Sequence, residues 1–245
     1  MRHSLLRISS SERLDKSTLS NDFRVSMPND SYMGKIQSFA VKEVTIPNTS
    51  YNITSKNNIL QFTYEGDYQI IIPPGNYSLT KLLSVINPLV GIMFFEQDAL
   101  TQKLRVYKLS SLGYSITECA NSIASTLGFL NLPLLVPAAP GRLADALPDL
   151  SGIRNFYISS NTLGDGNCMI SPTLPKLSII AVVPNTVPFG SICYYQSNEQ
   201  LLDTIEFSSI FGKNCSYIDL QLRDIKGGLI DLNGEDWSIL IKVYY

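Results

Sequence analysis

Hydrophobic and polar residues alternate over short stretches along most of the chain, the pattern of half-buried β-strands. In the clearest stretch, Leu60, Phe62 and Tyr64 alternate with polar neighbours. Residues 65–67 have turn composition, and the apolar, β-branched stretch 68–72 follows them. A strand, a turn and a second strand in this order predict a β-hairpin.

A helical pattern follows the break at residues 73–75, Pro-Pro-Gly. Ser78 can cap the helix, and Pro88 is expected to end it. The apolar positions recur as on one face of a helix, at Leu79, Leu82, Leu83 and Ile86. We therefore expect a short helix that lies with its leucine face on the sheet.

A second short helix is predicted over residues 120–127, with Asn121 as its cap and Gly128 in the C′ position. Ile123, Ala124 and Leu127 would point inward, and Phe129 would pack back. The following stretch 130–152 contains four prolines and is predicted to be a long loop rather than a central strand.

Further strand patterns lie on both sides of these elements. In the stretch 35–46 the alternation slips by one residue between Phe39 and Val44, which is consistent with a β-bulge. The remaining strand-like segments are 23–27, 92–96, 103–109, 114–118, 155–159, 176–184, 191–197, 216–224 and 237–245. Counting gives about eight to eleven strands without a βαβ unit, which indicates an antiparallel β-sandwich. The pattern alone leaves jelly-roll and immunoglobulin-like sandwiches open.

The first 22 residues lack sustained periodicity, and we interpret them as an extended N-terminal arm in front of one domain, 23–245. Arg and Lys in this segment are interleaved with acidic residues, so a structural arm is favoured over a DNA-binding tail. Four of its apolar residues could dock on a neighbouring subunit: Leu5, Leu6, Ile8 and Leu14. We expect the arm to be dispensable for folding and needed for assembly.

Composition points to protein contacts. Charged residues make up 16% of the chain and hydrophobic residues 44%, so the surface is poor in charge. Such a surface suits large protein interfaces, although an ordinary neutral β-sandwich would look similar. The net charge of −2 argues against non-specific binding of nucleic acid. No apolar run approaches the roughly 20 residues of a membrane-spanning helix, and the start of the chain lacks the apolar core of a signal peptide.

Catalytic and metal-binding chemistry has few candidates. His3 is the only histidine and is expected to be solvated, so histidine-dependent triads and metal sites are excluded. Asp165 lies in a GDGN stretch that is better explained as a turn than as a calcium loop. Trp237 could stack on a sugar, but it opens an alternating strand and core packing is favoured. Two acidic clusters are interpreted as solvated charges rather than as a glycosidase pair: Glu199, Asp203 and Glu206, and Asp231, Glu235 and Asp236.

The four cysteines are also expected to be structural. Cys119, Cys168, Cys193 and Cys215 are far apart in the sequence, with no CxxC pair and no histidine cluster. Without a signal peptide we expect a reducing compartment, and therefore buried thiols rather than disulfides.

Several longer stretches carry a resemblance to a known family. They read IPNTSYNIT at 46–54, IPPGNYSLTKLL at 72–83, STLGF at 125–129, FYISSN at 156–161 and DLNGEDWSILIKVYY at 231–245. In order and spacing they resemble the penton and minor capsid proteins of virophages, Polinton-like viruses and large DNA viruses. The resemblance spans most of the chain.

The resemblance implies an all-β fold, a single jelly roll with two short helices and the N-terminal arm. It implies a structural virion protein, not an enzyme, that forms homopentamers at the fivefold vertices of an icosahedral shell and contacts the major capsid protein there. We expect no cofactor and no specific nucleic acid as a partner, and we expect assembly inside the host cell. A minor or cement capsid protein is the nearest alternative, and a ligand-binding β-sandwich such as a lectin or receptor-binding domain is an alternative from another class.

Overall fold

The computed structural model describes residues 3–16, 18–27, 38–164, 177–197, 204–206 (backbone only) and 217–244. Strands make up most of the regular structure of these residues, and every pair of these strands is antiparallel. The strands are β1 (His3–Ser9), β2 (Asp22–Ser26), β3 (Ser38–Pro47), β4 (Ile59–Thr63), β5 (Asp67–Ile71), β6 (Met93–Gln97), β7 (Leu104–Lys108), β8 (Tyr114–Thr117), β9 (Leu134–Val136), β10 (Arg142–Leu143), β11 (Asn155–Ser159), β12 (Ile179–Pro184), β13 (Ile192–Gln196), β14 (Thr204–Glu206), β15 (Tyr217–Arg223) and β16 (Ser238–Tyr244). One α-helix, α1 (Leu79–Val90), and a 3₁₀ turn, Ser10–Glu12, complete the regular structure of this part of the chain.

The chain folds as two compact units. The discontinuous unit combines Met1–Ser50 with Ile153–Tyr245, and the inserted unit is Tyr51–Gly152. This division differs from the predicted boundaries, an arm of 1–22 and one domain of 23–245. The physical reason is that each unit has its own buried hydrophobic cluster. The alternation of residues along a strand shows which side is buried, but it does not show which strands share a core.

The discontinuous unit is a sandwich of two sheets. The first sheet has the order β1-β16-β3-β13, with β14 also paired to β3, and the second has the order β12-β11-β15-β2. Both sheets contribute side chains to one buried cluster that includes Phe39, Phe156 and Trp237. The strands of each sheet come from both ends of the chain, so this core closes only when the two ends meet.

The predicted β-bulge is present in β3. Leu240 of β16 lies opposite Glu43, whereas the next residue, Ile241, lies opposite Val41, so Lys42 is the extra residue. Because the bulge shifts the register by one, Val41 and Val44 are buried on the same side although they are three residues apart.

The inserted unit contains two further sheets, with orders β5-β4-β8-β9 and β10-β7-β6. The predicted hairpin is confirmed as β4 and β5, with Phe62 opposite Tyr68. The predicted loop 130–152 contains the short strands β9 and β10, and both lie at sheet edges, where prolines nearby are tolerated.

Helix α1 begins as predicted, because the Ser78 side chain accepts a hydrogen bond from the backbone N–H of Lys81. Leu82 and Ile86 are fully buried in the core of the inserted unit. The predicted end at Pro88 is wrong, since the helix continues to Val90. Pro88 removes only one N–H in the last turn, and Gly91, with a φ of +66°, closes the helix by donating to the Asn87 carbonyl.

The second predicted helix does not form. Residues 120–128 are a series of turns, and Asn121 has a φ of +61°, which is incompatible with a helix cap of extended backbone. The predicted burial of Ile123, Ala124 and Leu127 is nevertheless confirmed. Gly128 has a φ of +89°, and a β-carbon there would lie 2.3 Å from the Ala146 carbonyl oxygen, so only glycine fits.

Candidate assembly surface

Strand β1 forms one edge of the first sheet. It pairs with β16 from His3, opposite Tyr244, to Ser9, opposite Ser238. Leu6 packs against the core and Ile8 is 1% exposed, whereas Leu5 is 62% exposed and Arg7 is exposed beside it. Alternate residues of β1 therefore point into the sandwich and out to the surface.

The four residues predicted to dock on a neighbour do not form one free apolar stripe. Leu5 and Leu14 are exposed, Leu6 is half-buried, and Ile8 belongs to the core. Residues 3–9 are thus part of the sheet rather than a separate arm. This segment was expected to be dispensable for folding. Because Ile8 fills a site in the core, we now expect that deleting the segment would leave a void there and destabilise the fold.

A polar cluster fixes the segment that follows β1. The Ser10 backbone N–H donates to the Trp237 carbonyl at 2.9 Å, and the Trp237 N–H donates to Ser10 Oγ at 3.0 Å. Ser10 Oγ donates to Asp236 Oδ1 at 2.6 Å, and Arg13 Nη1 donates to the same oxygen at 2.9 Å. These contacts join residues more than 220 positions apart in the sequence.

Trp237 itself is a core residue, as predicted. Its indole Nε1–H donates to the Ser20 carbonyl at 2.7 Å, and its ring packs edge-on against Phe23, with centroids 5.7 Å apart. Its side chain is buried and cannot serve as a sugar-stacking platform.

Asp219 holds a turn on the second sheet, a role that the sequence did not reveal. Its buried carboxylate accepts hydrogen bonds from the backbone N–H groups of Asn161 and Thr162 at 3.0 and 2.8 Å. It also accepts hydrogen bonds from the side chains of Ser160, Asn161 and Thr162. Burial alone would raise the pKa of Asp219, but these donors outweigh burial and lower that pKa below its usual value.

Strand β13 forms an opposite edge of the first sheet and was also missed as a candidate site. Ile192 is 63% exposed and Tyr194 is 57% exposed, while Cys193 between them is buried. The Glu43 carboxylate on the neighbouring strand β3 lies near the Tyr194 hydroxyl. Desolvation and this neighbouring negative charge raise the pKa of Tyr194, and Arg7 acts in the opposite direction.

Two residues of the acidic clusters make structural hydrogen bonds. Asp236 bonds to Ser10 and Arg13, and Asp231 accepts from the backbone N–H of Asn233 in its own turn. Glu199, Asp203, the side chain of Glu206, and the GDGN residues from Asp165 onward lie outside the described residues. His3 is exposed, as predicted.

Two of the four cysteines can be placed. Cys193 is a buried free thiol, and Cys119 is a half-buried free thiol. Burial is the main cause that raises the pKa of both thiols. Cys168 and Cys215 lie outside the described residues. Where side chains are described, no group of three or more metal-ligating residues occurs. In the same part of the chain, no helix has the length and apolar character needed to cross a membrane.

The fold of the chain is similar to that of a penton protein of known structure. It superposes on the crystal structure of the mavirus penton protein with a TM-score of 0.52 and 10% sequence identity, covering 99% of both chains. A chain of the cryo-EM structure of the Sputnik virophage superposes with a TM-score of 0.48 and 12% identity, covering 98% of this chain and 97% of the other. No protein-family model matches the sequence. No curated protein is significantly similar to it in sequence.

Proposed function

We propose that this protein is a structural virion protein, the penton subunit that occupies the fivefold vertices of an icosahedral capsid as a homopentamer. The observation that carries the proposal is the superposition on the mavirus penton protein over 99% of both chains. A match of this extent covers both units and not only a common sandwich.

The strand order of the discontinuous unit supports a jelly-roll topology. Its two sheets have four strands each along their main paths, β1-β16-β3-β13 and β12-β11-β15-β2. Eight antiparallel strands in two packed sheets suit a jelly roll, and we propose this topology for the discontinuous unit. The proposed role is assembly rather than catalysis, with the major capsid protein as the neighbour in the shell.

A closed ring of identical subunits requires two different surfaces on each subunit. The charge-poor composition and the exposed apolar residues on both edges of the first sheet suit such contacts.

Imaging of whole particles tests the proposal. Particles that contain this chain, identified by mass spectrometry of purified virions, would be reconstructed by cryo-EM. We expect density for five copies of the chain at each fivefold vertex. As a control, shells assembled without the chain should lack this density and keep the rest of the lattice.

The other outcomes separate the competing functions. Density between major capsid proteins and away from the vertices would mean a cement protein. A chain that is absent from particles but is retained on glycan or receptor arrays would mean a ligand-binding module. Either result would contradict the penton proposal.

A further inference from the structure

The two edge strands of the first sheet, β1 and β13, both combine exposed apolar side chains with an edge that is unpaired in the described residues. On the outer face, β1 exposes Leu5 and β13 exposes Ile192 and Tyr194, each more than half accessible. Within the described residues β1 pairs only with β16, and β13 pairs only with β3. Neither strand contains a proline or a bulge, the common devices that protect an exposed edge.

The directions of these strands are compatible with continuing the sheet from one copy to the next. Each of the three steps from β1 through β16 and β3 to β13 is antiparallel, so β1 and β13 run in opposite directions. A second copy rotated about an axis parallel to the strands keeps its strand directions. Its β13 would then lie antiparallel to β1 of the first copy.

The charges near the two edges are also complementary. Arg7 is exposed on β1, and Glu43 lies on β3 directly opposite Gln196 of β13. Arg7, Leu240, Glu43 and Gln196 lie in one transverse row of the sheet. A copy placed side by side therefore brings Arg7 of one subunit toward Gln196 and Glu43 of the next.

We propose that the β1 edge of one copy binds the β13 edge of a second copy, so that subunits associate head to tail through the first sheet. This inference rests on the proposed function, because it names the surfaces that would join neighbouring penton subunits. Each copy uses one edge for each neighbour, which is the heterologous contact that a ring requires. A second copy is the occupant because the two edges match each other in strand direction, apolar character and charge.

Blocking one edge at a time tests the contact. Leu5→Asp and Ile192→Asp place a charge on each edge at exposed positions, so both variants should keep the fold and the melting temperature of the unmodified chain. Each should associate at least about tenfold more weakly, because a buried aspartate in the interface loses its hydration. Leu100→Asp is the matched control, since Leu100 is 92% exposed in the inserted unit and should leave association unchanged.

Mixing the two variants gives the decisive result. Leu5→Asp keeps an intact β13 edge, and Ile192→Asp keeps an intact β1 edge. A 1:1 mixture should therefore form dimers that contain one copy of each variant, and no larger assembly. Each variant alone should remain monomeric where the unmodified chain forms rings. Native mass spectrometry or sedimentation measures these masses.

Any other pattern of assembly masses would contradict the proposed contact between the β1 and β13 edges. Dimers of Ile192→Asp alone would show that β1 binds β1, and rings of either variant would place the contact elsewhere. An unmodified chain that stays monomeric at its highest soluble concentration would also overturn it. Rings that ignore both substitutions but enter capsid vertices would leave the proposed function standing. Rings that follow the prediction but never enter a shell would overturn the function and leave the contact standing.

Discussion

The two units of the chain differ in how far along the sequence their carboxylates reach. In the discontinuous unit, carboxylates hold distant segments together: Asp236 holds Ser10, and Asp219 holds the turn at 160–162. In the inserted unit, the carboxylates of Asp98 and Asp145 bond to residues at most 15 positions away. The amide of Asn52 reaches further there, to the backbone of Tyr77 and Leu150.

The difference follows from how each core is closed. The inserted unit is one continuous segment whose hairpins and helix are local, so its carboxylates, such as Asp145, fix loops that are near them in the sequence. The discontinuous unit joins strands from both ends of the chain, and bonds to an ionised group are stronger than neutral ones. One consequence is that acid should weaken the carboxylate-held turn of the discontinuous unit and should not change the amide bonds of the inserted unit.

The largest effect is expected from Leu82→Asp in α1. Leu82 is fully buried, and even replacing such a leucine with alanine costs about 2–5 kcal/mol of unfolding free energy. An unpaired buried charge should cost more. Hydrogen exchange should show lost protection throughout Tyr51–Gly152.

Leu89→Asp is the matched control, because Leu89 lies on the same helix and is 49% exposed. It should leave exchange nearly unchanged. If Leu82→Asp also kept normal protection in the inserted unit, α1 would not be part of that core.

The next largest effect should come from shortening the N-terminus. Removing residues 1–10 deletes Ile8 from the core of the discontinuous unit and Ser10 from its bonds to Asp236 and Trp237. Loss of the buried isoleucine alone should lower the unfolding free energy by about 1.5–3 kcal/mol. Thermal melting would measure the difference.

Removing only residues 1–5 tests the same segment without touching the core, since Leu5 is exposed and Ile8 remains. This shorter truncation should melt close to the full chain. Equal destabilisation by both truncations would mean that the backbone pairing of β1 with β16, and not Ile8 and Ser10, holds the segment.

A smaller and pH-dependent effect is expected from Asp219→Asn. The substitution removes the negative charge that five hydrogen-bond donors face, and it should cost about 2 kcal/mol at neutral pH. Because the folded protein lowers the pKa of Asp219, the carboxylate stabilises the fold at pH values above its ordinary pKa. This contribution should disappear as the pH falls through the lowered, folded-state pKa.

Denaturant unfolding of the unmodified protein and of Asp219→Asn across the acidic pH range would measure the difference between their unfolding free energies. We expect this gap to close at low pH. A gap that stayed constant with pH would show that the shape of the aspartate side chain matters and its charge does not.

Local patterns in the sequence predicted local structure well. The β4–β5 hairpin, the cap at Ser78, the bulge near Lys42 and the burial of Trp237 are all confirmed, because each depends on neighbours within a few residues. The segment 120–128 shows the limit: its apolar positions are buried as predicted, but close contact with the Ala146 backbone favours turns there over a helix.

Features that depend on distant segments were missed. Asp219 alternates with apolar residues, as an ordinary outward-facing position would, and its bonds to the turn at 160–162 come from a segment almost 60 positions away. The alternation of Leu6 and Ile8 with Leu5 and Arg7 in β1 was visible but too short to distinguish a strand from an arm. No local sequence pattern indicates that the inserted unit has a hydrophobic core of its own.

The pairing of His3 with Tyr244 places the start of β1 and the end of β16 side by side on the first sheet. The polypeptide therefore enters the sandwich in β1 and leaves it in β16 at the same place in the sheet. A peptide tag or fluorescent label placed just before His3 or just after Tyr244 would occupy the same corner of the sheet. A short linker from Tyr244 to His3 could join β16 to β1 and leave the order of the strands as it is, so the same sandwich could be made from a chain that is cut at another loop.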